Sequence, residues 1–436
     1  MEPAKPLDAV DSQEAAPPPA EQPLAPGLPA RLFAPSTGML RALRLRDYRL
    51  FWTGNFLSNI GTWMHHVALG WLVLEMTNSP FLLGLVGFAQ FIPALLFSLP
   101  GGVIADRVNR RVWLLVTHSV MLVLALALAL GVSFNVINYA AVAAIAFLLG
   151  TTSALNFPAF QAMVRDLSNR EDLLNAIALN SMQFNASRFI GPAIAGILVG
   201  TVGLAICFYI NAASYLAPLV ALWMVHYRAE VPAGNASLGA GLKEGFDYLR
   251  THPRIFLLVG FVGMISLFGL PYLIFLPVFA RDVLHVGATG LGYLFSASGG
   301  GALAGAVVLA GWRPEWRRVP LVLGGMLFFF GGVLTLALST NFYLSLTALA
   351  VVGAAMVAAV ATINSLLQTV VPDEVRGRVL GWHSMAYLGF SPIGSLLIGV
   401  LADVWSTPAA LAVSAALPLV LTLILFFKLP WLRQLQ

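Results

Sequence analysis

Few residues in this chain could do chemistry, and their spacing says what kind. Asn55, Asn59, Thr62, His66 and Gly70 recur at steps of three and four, so they share one helical face, with His65 well off it. Ser181, Asn185 and Arg188 share another face, with Phe184 beside them. An arginine in the middle of an apolar membrane helix costs roughly 2.5–3.5 kcal/mol on insertion scales, so Arg188 must face water, a solute or a polar partner. A solute contact and a hydrogen-bonding hub between helices both meet that demand. Asn364, Gln368, His383 and Tyr387 form a third set, candidates for an opposite wall.

Such an inventory binds rather than catalyses. His65-His66 alone supplies no convergent set of nucleophile, base and metal ligands, so no enzyme, metal site or cofactor is expected. The single cysteine, Cys207, excludes a disulfide framework. A Gly-rich phosphate loop ending in Lys-Ser/Thr is missing, which argues against ATP hydrolysis. No Asp or Glu lies in the middle of an apolar run; Glu75 and Asp403 fall near the ends of theirs. A buried organic cation would find no carboxylate to offset its charge. Neutral, zwitterionic or anionic molecules suit these side chains better.

The elements that hold these residues must sit in lipid. Hydrophobic residues make up 59% of the chain and charged residues 10%, with a mean hydropathy of +0.84, against about a quarter charged in soluble domains. Twelve apolar spans can be drawn, near 50–74, 80–105, 111–132, 137–163, 174–200, 203–226, 254–280, 288–311, 319–338, 342–370, 377–402 and 407–428. Each approaches or exceeds the roughly 20 residues that cross a hydrocarbon core. The expected fold is therefore an all-α polytopic membrane protein with twelve transmembrane helices.

Charge sets its orientation. With the N-terminus inside, the inner loops and tails hold all of the 24 basic residues except Arg188 and Arg281, the latter in an outer loop. The positive-inside rule then places both termini in the cytoplasm, and the basic pI of about 9.5 needs no nucleic-acid partner. Residues 1–40 are rich in Pro and Ala without an apolar core, and read as a disordered cytoplasmic tail rather than a signal peptide. Residues 41–226 form one six-helix half, 227–253 a cytoplasmic linker, and 254–436 a second half. Leu242, Phe246 and Leu249 give the linker an amphipathic helix.

A repeat accompanies this division. Arg188-Phe-Ile-Gly191-Pro192 in the fifth span has a counterpart in Gly389-Phe-Ser-Pro392 of the eleventh, and each span follows a charged inner loop, the second containing Arg376. Two similar halves joined by a long inner loop point to a transporter with its site between them at mid-membrane.

Gly102-x3-Asp106-Arg107-x-Asn109-Arg110-Arg111 resembles the signature of the major facilitator superfamily between the second and third spans. Asn109 replaces the usual glycine, a change tolerable because Asn accepts left-handed backbone. Arg46-Asp-Tyr-Arg-Leu-Phe-Trp52, Ser58-Asn-Ile-Gly61-Thr-Trp63 and Thr77-Asn-Ser79-Pro80 resemble the bacterial exporter branch that includes enterobactin and macrolide exporters. The resemblance implies alternating access, a monomer, and gating by Gly102, Asp106, Arg107, Arg110, Arg111 and Arg376; on spacing alone these charges could equally only fix topology. Asp106 is expected within reach of Arg110 and the eleventh span. Gly191 and Pro192 resemble the glycine–proline motif of antiporters, which implies proton-coupled export. His66, Glu75, Asp403 or the substrate itself could carry the proton. A siderophore-like or drug-like molecule, such as a catecholate siderophore, fits the cavity, with a multidrug or macrolide carrier or a non-transporting receptor as alternatives. The expected location is the bacterial inner membrane.

Overall fold

Helix boundaries follow from small polar caps and prolines. The computed structural model describes residues 40–227, 238–311 and 318–428, so the expected tail of residues 1–40 lies, but for Leu40, outside the described residues. After a short 3-10 turn at Arg41–Arg44, α1 runs Arg46–Thr77 and ends on Asn78 in left-handed backbone (φ 49). Ser79 Oγ accepts from the Leu82 amide to start α2 (Pro80–Arg107), whose first residue is a proline that has no N–H to lose. Asn109 accepts from the amides of Arg111 and Val112 to start α3 (Arg110–Ser133), with its own backbone extended at φ −63. That corrects the sequence reading of Asn109: it stands there as a helix cap, not as a left-handed residue.

Asn138 caps α4 (Tyr139–Asp166) in the same way, and α5 follows at Leu173–Thr201. The expected sixth span is two helices, α6 (Leu204–Ser214) and α7 (Leu216–Met224), with the break at Tyr215. Pro218 has no N–H to offer Ser214, which accounts for that break. The linker helix α8 spans Leu238–Thr251. Then come α9 (Pro253–Met264), α10 (Tyr272–Val278), α11 (Gly287–Ala310), α12 (Arg318–Leu338), α13 (Phe342–Val370), α14 (Asp373–Val404) and α15 (Thr407–Lys428). Two π-turns, Ile265–Gly269 and Phe279–Val283, flank α10. Pro271 and Pro277 remove backbone donors in this stretch, and wide turns of this kind accommodate such gaps. The continuous helical stretch therefore runs three residues past the expected 254–280, and Arg281, expected in a loop, sits in the second π-turn.

Among the described residues, ten helical segments are long and apolar enough to cross a membrane. α1 and α5 fall short of that hydropathy because they carry the polar stripes, of which Asn55 and Arg188 are buried and Asn59, Thr62, His66 and Asn185 half-buried. In chain order we call α1–α7 the first helix group and α9–α15 the second; they are not separate bodies, since α5 packs on α11 more extensively than on any helix of its own group. Between the two groups the main seams are α5 on α11 and α2 on α14, with α1 and α2 also meeting α10. Small residues make these seams: a Cβ on Gly196 would lie 2.7 Å from the Gly292 Cα, and one on Gly84 would lie 2.6 Å from the Ser395 carbonyl oxygen. Where lipid competes equally for apolar surface, such close backbone approach holds helices together.

Ion pairs define one end of the bundle. Arg41 meets Glu171 and Asp172, Arg110 meets Asp166, Arg376 meets Asp373, and Arg378 meets Glu244. We call this the basic end. The linker helix lies there on α14, with Gly245 against Arg378 and Trp382 and the Phe246 ring 5.3 Å from that of Trp382.

Candidate functional site

Arg188 lies at the middle of α5, where α1, α5, α10 and α11 meet. It is only 4% exposed. Its Nη2 donates to Ser298 Oγ at 2.9 Å and to the Tyr272 hydroxyl at 3.4 Å, while its guanidinium carbon stands 5.7 Å from the Trp63 ring centroid. The hydroxyls of Tyr272 and Ser298 are themselves hydrogen-bonded at 2.6 Å. Arg188 belongs to the first helix group, and both hydroxyls belong to the second. Trp63 entered the sequence reading only within the exporter-branch motif, and Tyr272 and Ser298 not at all, since a lone Tyr beside Pro271 and a Ser in a Gly-rich run carry no spacing signal.

The stripe on α1 divides. Asn55 is buried and its amide donates to the Phe51 carbonyl oxygen, so it is satisfied within its own helix. Asn59 is half-buried. Thr62 bonds the Ser58 carbonyl and lies 3.4 Å from the Tyr215 hydroxyl. His66 lies 3.1 Å from Gln90 Nε2 of α2, a partner the sequence did not suggest, and its ring is 6.0 Å from that of Phe91. Phe184 is half exposed, with its ring edge-on to Trp63 at 5.8 Å. Asn185 turns back to the Ser181 carbonyl. Thus Phe184, Arg188, Trp63 and His66 gather in one region, while Asn55 and Asn185 bond to their own helices.

The candidates of the second group are spread over two helices. Gln368 donates to Asn364 one turn away on α13. On α14, His383 is buried with no partner for Nε2 among the described residues. The Tyr387 carbonyl accepts from Ser266 at 2.6 Å. Glu75 accepts from Trp71 Nε1 at 2.5 Å, and Asp403 is exposed near the end of α14.

At the basic end Arg110 Nη1 donates to both carboxylate oxygens of Asp166, at 2.9 and 2.7 Å, and Tyr227 donates to Oδ2 of the same carboxylate at 2.7 Å. Burial first, then that carboxylate, pushes the Tyr227 phenol up to about 12, so it stays a donor at every physiological pH. Arg111 donates to the Trp223 carbonyl, Arg107 is exposed, and a Cβ on Gly102 would meet nothing within 4 Å. The side chain of Asp106 lies outside the described residues. Arg376 clamps the Val371 carbonyl oxygen through Nε and Nη2, as well as Asp373. These pairs stay within one helix group each. Gly191 packs on α1, where a Cβ would stand 2.7 Å from the Ile60 carbonyl oxygen, and the Pro192 carbonyl approaches Gly292 of α11.

The opposite end carries a clasp between the groups. Arg281 Nη1 donates to the Leu74 carbonyl at 3.0 Å and Nη2 to Asn78 Oδ1 at 2.5 Å. Thr289 Oγ1 donates to the Gly196 carbonyl at 3.2 Å nearby. Arg281→Ala should loosen this end. In a Cys207→Ser, Leu83→Cys background it should raise the rate of maleimide labelling by about three- to tenfold, the factor for one charged hydrogen bond weakened by partial exposure. An unchanged rate would mean that the clasp holds nothing.

Apolar helices long enough to cross a membrane, with polar side chains gathered between them, are the build of a multi-pass membrane protein. The chain belongs to the transmembrane secretion effector family of the major facilitator superfamily, which it matches over residues 37–436. It is 28% identical over 382 residues to the staphyloferrin A transporter of Staphylococcus aureus, covering 87% of this chain and 95% of that one. It is 26% identical to the enterobactin exporter EntS of Shigella boydii (89% and 92% covered) and to the multidrug efflux pump Tap of Mycolicibacterium fortuitum (85% and 92% covered). The fold is similar to an inward-facing, unoccupied bacterial homologue of the lysosomal transporter Spinster, with TM-score 0.65, 15% identity and coverage of 90% and 95%. It is also similar to the nucleoside transporter NupG, with TM-score 0.68, 14% identity and coverage of 88% and 99%.

Proposed function

We propose that this protein exports a small organic molecule of siderophore-like or drug-like character by alternating access, coupled to proton entry. The observation that carries the reading is where the two helix groups touch. The contacts described between them, Gly84 with Ser395, Gly196 with Gly292, Arg281 with Asn78 and Arg188 with Ser298, lie from mid-bundle to the end opposite the basic one. Among the described residues, no ion pair of the basic end joins α1–α7 to α9–α15. A carrier open toward its basic end and closed at the other would have this arrangement, and the basic end is cytoplasmic by the positive-inside rule.

In this reading α1 and α5 span the membrane with the other ten segments, giving twelve spans in two pseudo-symmetric halves with both termini inside. Trp63, His66, Phe184 and Arg188 contact the solute from one half, and Asn364, Gln368, His383 and Tyr387 face it from the other. The names of the relatives support export of siderophores or drugs. Proton entry is sufficient: at about 100 mV one proton supplies roughly 2.3 kcal/mol, enough for a gradient on the order of 50-fold. His66, Glu75 and Asp403 are the candidate carriers, and the working unit is a monomer in lipid.

Inside-out membrane vesicles energised with a proton gradient test this, using a panel of labelled siderophores and macrolides. Accumulation of one panel member that collapses with an uncoupler is the expected result. Accumulation that survives collapse of the gradient would remove proton coupling, and no accumulation of any member would remove the exporter reading.

A further inference from the structure

Resting on the reading of Arg188 as part of the solute site, we propose that the transported molecule presents an anionic oxygen group, a carboxylate or a deprotonated catechol, that serves as the counterion of Arg188. A guanidinium keeps its charge in proteins, so burying one requires an opposite charge or a full set of acceptors. Arg188 has neither. Its protein partners are two hydroxyls and the Trp63 ring, all neutral, and its buried Nε has no partner among the described residues. Among the described residues no ion pair includes Arg188; those present lie near the ends of the bundle.

The sequence offers no substitute, since no Asp or Glu occupies the middle of any apolar span. The missing negative charge therefore comes from outside the chain. Two oxygens side by side fit the guanidinium fork, which is why arginine serves wherever carboxylates are recognised bidentately. The half-exposed Phe184 and the face of Trp63 stand beside that fork and would flank an aromatic or alkyl body attached to the acid. Position adds a consequence. Arg188 belongs to α5, and Ser298 and Tyr272 belong to α11 and α10, so an anion on the guanidinium competes with a hydrogen bond that joins the two helix groups.

Equilibrium binding to the purified full-length protein in detergent, followed by tryptophan fluorescence without any gradient, tests the charge requirement apart from transport. The carboxylate arm compares 2-hydroxybenzoate with neutral 2-hydroxybenzamide. The catechol arm follows 2,3-dihydroxybenzamide at pH 6 and pH 9 beside its dimethoxy analogue. At least one anionic form should bind about tenfold or more tightly than its neutral counterpart, the margin of one charge-assisted contact. That preference should vanish in Arg188→Gln and return in part in Arg188→Lys. Equal affinity for charged and neutral forms in the wild-type protein overturns the proposal, as does a preference that persists in Arg188→Gln or the failure of every probe to bind. The wild-type comparison decides even if a variant does not fold. Loss of proton coupling in vesicles leaves this result untouched.

Discussion

Arg188→Gln should cut concentrative efflux by about tenfold to a hundredfold while the protein remains folded in the membrane. The loss follows from the worth of hydrogen bonds to a charged group, about 1.5–3 kcal/mol each. Survival of the fold follows from what the side chain leaves behind. Tyr272 and Ser298 are already bonded to each other at 2.6 Å, so removing the guanidinium orphans neither hydroxyl. It also removes the cost of a buried charge. Melting of the purified variant should therefore occur at or above the wild-type temperature, with flux lost. A hub whose task is to hold helices together would behave in the opposite way, with stability falling and flux falling only in proportion. Undiminished flux per molecule in the variant would take Arg188 out of the transport path.

The largest effect on stability should come from Gly353→Leu. A Cβ at Gly353 of α13 would overlap the Ser298 carbonyl of α11, and one at Gly301 would overlap the Ala350 carbonyl in return. One turn on, a Cβ at Gly305 would lie 2.7 Å from the Ala354 Cα. The two backbones touch along this line, and no side-chain rotation makes room. Overpacking of this kind costs about 1–3 kcal/mol where the surroundings can yield, and here they are main chain. We expect the midpoint of thermal unfolding in detergent to fall by an amount worth about 3 kcal/mol, and flux to fall with it because α11 carries Ser298. Gly324→Leu is the matched control, since a Cβ there meets nothing within 4 Å. Equal melting of the two variants would show that the α11–α13 contact is slack.

Much of this was legible from residue type alone. The helices could be placed because apolar runs between Arg-bearing turns have few other uses, and Arg188 stood out as the one basic residue in the middle of a span. Its neighbours could not be read. Tyr272 and Ser298 become partners of Arg188 only when α10 and α11 pack on α5, and pairing at that sequence distance leaves no periodic trace. Asp166 and Tyr227 were hidden from the reading of Arg110 for the same reason. Asn109 was misread through its family position: a glycine substitute suggested unusual backbone, whereas Asn at the start of a helix is favoured for the oxygen it offers to bare amides. Arg281 was placed in a loop because its charge ended the apolar run, but a π-turn carries the helix past it.

The seating of α8 on α14 has a practical use. α14 extends from the Glu244–Arg378 contact at one face of the bundle to the Ser395–Gly84 seam deep toward the other, so under the alternating access proposed above it would work as a pushrod with its handle outside the lipid. A fluorophore on exposed Asp247 rides on that handle. Paired with a second dye near Arg107, it would act as an external dial for the carrier's working stroke, read one molecule at a time without disturbing the interior.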